Sequence, residues 1–159
     1  MKFISKWGAS LLVGALTIAA FQVQAEENRV MFPENLDQLI HYTTVTRGDV
    51  TEHMLTTPEA IEAVKNGEPI PHGSHVVLVD YRDGKVHRYF IMQKGAGWGE
   101  HYAPETGTGD WQFQWFWGDK SINMDETTSR CVSCHKSREG RQNLYTFNGM
   151  HRYEARAGK

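Results

Sequence analysis

The 159-residue chain lacks the features that mark several large classes of protein. Its only two cysteines lie within a single pentapeptide, so no disulfide framework staples the fold. There is no run of lysine or arginine, and 17 basic residues face 19 acidic ones, which argues against a nucleic-acid partner. No apolar stretch approaches the ~20 residues needed to span a bilayer. Internal repeats, low-complexity tracts and an interdomain linker are missing as well. What is left is material for one compact domain with a single core.

The amino terminus is set apart from the rest. Lys2 and Lys6 precede the apolar run from Leu11 to Phe21, and Val23-Gln24-Ala25 supplies a small-residue cleavage site, the pattern of an export signal. Residues 1–25 are therefore expected to be removed after Ala25, leaving 26–159 as a single domain. Without Lys2 and Lys6 the mature chain carries 15 basic and 19 acidic residues, a net charge of about −4 with neutral histidines.

Both cysteines sit in Cys131-Val132-Ser133-Cys134-His135, the attachment pattern for c-type haem. Thiols at i and i+3 lie one helical turn apart, so each reaches one haem vinyl group, and the next residue turns its imidazole onto the iron. Two other readings exist for such a pair. A thioredoxin-like redox pair is expected beside a βαβ unit, and a zinc site needs two more closely spaced ligands, for which only the scattered His101 and His151 are at hand. The haem reading predicts one covalently bound haem c per chain, held by Cys131 and Cys134, with His135 as the metal ligand. The resemblance to bacterial c-type haem proteins implies attachment outside the cytoplasmic membrane, which agrees with the export signal and predicts a periplasmic protein.

Hydrophobic periodicity predicts an α+β domain, mainly antiparallel sheet with a few short helices and the haem helix near the carboxyl terminus. Pro33 opens a segment with Leu36, Leu39 and Ile40 at helical spacing. Thr57 and Pro58 read as N-cap and first helical position and Gly67 as the stop, giving a second helix over 58–66. From there the period changes to two. Runs over 75–82 and 85–93 flank Asp83-Gly84, a strong hairpin signal, and place Val86, Phe90 and Met92 on one face with Arg88 between them. Residues 111–117 alternate most clearly, with Trp111, Phe113, Trp115 and Trp117 on one side and Gln112 and Gln114 on the other. This pattern disfavours both a small helical electron carrier, whose haem motif comes early, and a four-helix bundle.

Over nearly the whole mature chain the residues resemble the cytochrome P460 and cytochrome c′-beta family. The resemblance is carried by Phe32-Pro33-Glu34-Asn35 with His41 in the opening helix, Thr57-Pro58-Glu59-Ala60, Gly73-Ser74 leading into Val76-Val77-Leu78-Val79, Met92-Gln93-Lys94, Gly109-Asp110-Trp111, Cys131 to Lys136, and Leu144-Tyr145-Thr146-Phe147. It implies a mainly antiparallel sheet, a c-type haem with one axial histidine, and a homodimer. Cytochrome P460 proper, a hydroxylamine oxidase, cross-links a strand lysine to its porphyrin. That position falls here on Leu78, or on Val79 with a one-residue shift, and neither has an amine. Lys85 and Lys94 read as surface charges. The departure brings the chain closer to the c′-beta side.

The expected function follows from an apolar pocket opposite His135. Five-coordinate iron there favours nitric oxide or related small nitrogen oxides, with Val77, Leu78, Phe90 or Phe113 setting access. Two alternatives stay open. A hydroxylamine-oxidising enzyme needs a base, for which Glu126 is the candidate, although a cap on the haem helix is its simpler role. An electron-transfer cytochrome with a periplasmic redox partner needs a sixth ligand from His41, His53, His75, His87 or His101, or from Met54, Met92, Met124 or Met150. Arg138 and Arg141 are candidates for pairing with haem propionates.

Overall fold

A computed structural model describes residues 28–100, 107–125 and 127–155. The export signal with its site after Ala25, His101 and Glu126 lie outside the described residues. Five strands form one antiparallel sheet in sequence order: β1 (Ile40–Arg47), β2 (Val50–Thr56), β3 (His75–Arg82), β4 (Lys85–Lys94) and β5 (Trp111–Trp117). Helix α1 (Pro58–Asn66) links β2 to β3, and α2 (Ser129–Lys136) and α3 (Phe147–His151) follow the sheet. The α+β architecture expected from the sequence is the one observed.

Local signals explain most of these elements. Pro58 is the first residue of α1, and Gly67 ends it in the left-handed conformation at φ +72°, where a side chain is disfavoured. Between β3 and β4, Asp83 and Gly84 both have positive φ, the tight turn whose twist matches the flanking strands.

The opening helix is not formed. Only a 3-10 turn, Leu36–Gln38, is helical, and the chain is already extended at Leu39. Ile40 begins a strand, so His41 lies on β1. The reason is the run Ile40, Thr43, Thr44, Val45 and Thr46, whose β-branched side chains lose rotamer freedom in a helix and pack well on a pleated surface. Gly48, at φ +60°, then turns β1 back into β2.

One sheet face carries three successive cross-strand rows. The first is Ile40, Thr56, Val76, Met92 and Phe113; the second Thr43, Met54, Leu78, Phe90 and Trp115; the third Val45, Glu52, Asp80, Arg88 and Trp117. Against the first row pack Ile61 and Val64 of α1, Leu144 and Met150. The opposite face buries Val77, Val79, Tyr89, Ile91 and Phe116 beneath Val30 and Leu39, with Phe32 edge-on to Tyr89 and Phe116. Val86 belongs to this second face rather than with Phe90 and Met92, because the register slips between Asp80 and Tyr81 and leaves His87 as an extra residue in β4. Gln112 and Gln114 do lie opposite the tryptophans, yet both are buried: Asn28 and the Arg29 amide from the amino-terminal segment bond to them and cover the β5 edge.

His75, at the start of β3, gives the fold a pH dependence. Burial holds its imidazole below the ordinary value, against the opposing effects of Gln93 and the Gly73 backbone. The folded state then binds fewer protons than the unfolded chain, so stability should fall as pH drops through about 6.5, the unfolded value. His75→Gln should flatten that slope in urea titrations of the mature protein between pH 5 and 8. An unchanged slope would remove His75 as its source.

Candidate functional site

A cavity of about 490 Å³ opens on the three-row face, within the ~300–1,000 Å³ usual for small-molecule and cofactor clefts. Its floor includes Val76 and Met92 of the first row, Met54, Leu78 and Phe90 of the second, and Val45 and Glu52 of the third. Cys134, His135 and the segment Leu144–Thr146 close it from above. The sequence-predicted pocket residues thus separate cleanly. Leu78, Phe90 and Phe113 line the cavity, while Val77, one residue out of phase with Leu78, is fully buried in the opposite core.

Helix α2 presents the haem motif to this space. Cys131, Cys134 and His135 fall at i, i+3 and i+4 and share one helix face. Cys131 is half-buried, and its Sγ accepts a hydrogen bond from the Trp115 indole at 3.2 Å. The His135 ring packs against Phe113 at 4.8 Å between centroids and meets Tyr145 edge-on at 5.2 Å.

The histidine is held in one tautomer. Its Nδ1 lies 2.6 Å from the carbonyl oxygen of Asn143, and a carbonyl only accepts, so Nδ1 carries the proton. Nε2 keeps a bare lone pair, the form a metal requires, and burial pushes the imidazole below its ordinary pKa despite that hydrogen bond. The backbone that supplies the carbonyl is shaped for the purpose. Gln142 and Asn143 both have positive φ and fold the chain back on α2. Gln142 is pinned through its side chain to the Ile70 amide at 2.7 Å and the Glu68 carbonyl at 2.9 Å, and Asn143 to the Thr108 carbonyl at 3.3 Å.

Other candidates are placed elsewhere. His41 and His53 stack on each other at 4.5 Å, and His53 leans on Tyr81; neither these two nor His75 and His87 line the cavity. Met54 and Met92 do line it, whereas Met124 is exposed and Met150 is buried in the core. Arg138 lies over the Tyr145 ring at 4.6 Å, and Arg141 is exposed in the turn after α2. Lys85 is exposed at the hairpin, and the Lys94 Nζ donates to the Ile70 carbonyl at 2.7 Å.

Two groups escaped the sequence. Arg47 and Glu52 are ion-paired and line the cavity from the β1–β2 hairpin, a region whose helical apolar spacing concealed its strands. The β-branched run before Gly48 was the signal that could have revealed them. The Asn143 carbonyl is a backbone group, and no residue pattern announces it.

The surroundings fit a haem better than the other readings of the motif. An apolar-floored cleft meets a neutral imidazole with an open nitrogen, and both thiols lie on the same helix face. A zinc site finds no group of three metal-binding side chains among the described residues. The sheet is antiparallel throughout, so it offers no βαβ unit to a redox pair. No curated protein matches the chain. The family model for Cytochrome P460 matches residues 33–146, well over half the chain and the whole span from before β1 to the residues that close the cavity. With the haem cofactor this family implies, the chain belongs to the cytochrome P460 family.

Proposed function

We propose that the protein is a periplasmic c-type cytochrome, working as a homodimer, that binds nitric oxide or a related small nitrogen oxide on five-coordinate iron ligated by His135. The observation that carries this reading is the His135 imidazole, locked with Nδ1 on the Asn143 carbonyl and set at a cavity whose floor is mainly apolar. When bound, the haem supplies an iron with one open position for a small ligand. Cys131 and Cys134 anchor the porphyrin edge, the Trp115 indole positions the first sulfur, and Asn143 fixes the imidazole plane. Leu78 and Phe90 exclude water from the floor, and Phe90 is itself held edge-on by Trp115 at 4.4 Å.

Attachment and coordination are tested separately. The intact mature protein should exceed its chain mass by one haem and keep its pigment in acid acetone, as thioether bonds require. Cys131→Ala and Cys134→Ala should each leave a single thioether, detected by the haemochrome band in pyridine, and the double variant should release all pigment. Pigment extractable from the unaltered protein would overturn covalent attachment.

A second reading, electron transfer, draws on Met54 and Met92, whose side chains line the cavity and could supply a sixth ligand. The ferrous spectrum decides between the two. High-spin iron that binds carbon monoxide at once supports the first, and a low-spin spectrum abolished by Met54→Leu or Met92→Leu supports the second.

A further inference from the structure

The third row of the sheet face is unlike the other two. Glu52 and Asp80 sit opposite each other on β2 and β3, and Arg88 sits opposite Asp80 on β4. Asp80, only 2% exposed at its side chain, holds Arg88 at 2.9 Å and Arg82 at 3.3 Å. Arg88 is further fixed over the rings of Phe90 and Trp115, at 4.6 and 5.1 Å. Arg47 pairs with Glu52, and these two line the cavity itself. The Glu52 side chain is 12% exposed, whereas Arg47 is 71% exposed and tethered at one point. Within these ion pairs three guanidiniums face two carboxylates, and Arg47 is the guanidinium that lines the cavity.

Its place relative to His135 matters. His135 stands beside Phe113 in the first row, and the third row lies four residues further along the strands, about 13 Å away. The side of the cavity away from the imidazole is thus where the charged row is found, with Leu78 and Phe90 between the two ends.

The geometry points to a small-anion subsite at the Arg47–Glu52 end of the cavity, in which Arg47 leaves Glu52 to donate to a monovalent inorganic anion, of the nitrite or azide class, bound at the end of the cavity away from His135. This rests on the His135-ligated haem proposed above and extends its ligands from neutral gases to anions. Arg88 is held by Asp80 and two rings, so Arg47 is the guanidinium able to turn. Glu52 acts as its gate: it neutralises Arg47 while the cavity is empty and competes with the anion for it. A charge-assisted hydrogen bond from a guanidinium to an anion is roughly twice as strong as a neutral one, enough to be read in affinity.

The test uses the haem-loaded protein. Dissociation constants for azide and nitrite are measured on the ferric form, and carbon monoxide is titrated into the ferrous form as the neutral probe. Arg47→Leu should weaken both anions by about ten- to a hundredfold and change carbon monoxide affinity by less than about threefold. Glu52→Gln, which releases Arg47 without removing it, should tighten the anions several-fold. Anion affinities that stay within twofold of the original in both variants would overturn the subsite. So would a loss of carbon monoxide affinity as large as the loss of azide, since that reports general damage to the cavity. If the original protein binds carbon monoxide but neither anion, the subsite fails alone. If it binds none of the three, the five-coordinate reading fails with it.

Discussion

His135→Gly should abolish the axial coordination of the haem while leaving the pigment attached. The thioether sulfurs come from Cys131 and Cys134, so removing the imidazole removes the metal ligand without removing the anchor. The vacancy created lies between Phe113, Tyr145 and the Asn143 carbonyl, a space shaped for an imidazole ring. Millimolar free imidazole should re-enter it, donate one N–H to that carbonyl, and restore the original ferrous spectrum. The same substitution should lower chain stability by about 1–3 kcal/mol, from lost ring packing and from glycine in the last turn of α2. A ferrous spectrum unchanged by the substitution would show that another residue ligates the iron. A change that imidazole fails to reverse would show that the pocket collapses, and that His135 acts structurally.

How far the sequence carries the reader varies along the chain, and the physical reasons differ. Helix α1 and the β3–β4 hairpin are legible because a single residue decides each boundary: Pro58 and Gly67 for the helix, Asp83 and Gly84 for the turn. Strand β5 is legible because Trp111, Gln112, Phe113, Gln114 and Trp115 alternate apolar and polar, although the structure buries both faces and Phe116 breaks the alternation. The β1–β2 hairpin is obscured because Leu36, Leu39 and Ile40 satisfy helical spacing by coincidence, whereas Leu39 and Ile40 bury themselves in different structural contexts: Leu39 in the core behind the sheet, Ile40 against the core on the cavity side. Val86 is misplaced for a different cause, since a bulge at His87 inverts the alternation and only the partner strand specifies it. The site divides in the same way. Cys131, Cys134 and His135 are adjacent in sequence and share one helical turn, so the motif could be read directly. Arg47, Glu52 and the Asn143 carbonyl are placed by pairing across the sheet and by a pair of left-handed residues after α2, and none of that geometry is local.

The sequence reading places the cross-linking lysine of cytochrome P460 proper at Leu78, or at Val79 with a one-residue shift, and Leu78→Lys should produce a large change in both stability and chemistry. Leu78 lies in the second row between Met54 and Phe90 and lines the cavity, so the new ammonium replaces an apolar side chain beside apolar row neighbours, with Glu52 and Asp80 one row further along. Desolvation there depresses the lysine pKa below its usual ~10.4, and each unit of depression is worth about 1.4 kcal/mol at neutral pH. With the lost leucine packing, the variant should be destabilised by about 2–4 kcal/mol at pH 7. The unfolded chain binds the proton that the folded chain gives up, so stability should recover as pH rises toward 10. The neutral amine is also a nucleophile, and hydrogen peroxide is a two-electron oxidant able to join it to the porphyrin edge. One N–H and one C–H are exchanged for an N–C bond and the peroxide becomes two waters, so the product should be lighter by two hydrogens and its Soret band should move to the red. Val79→Lys is the control, because Val79 is buried in the opposite core and its amine would have no access to the cavity. A cross-link in the Val79 variant would show that the register assigned to β3 is wrong. A cross-link already present in the original protein would implicate Lys94 or Lys85, and for Lys94 would require breaking its bond to the Ile70 carbonyl.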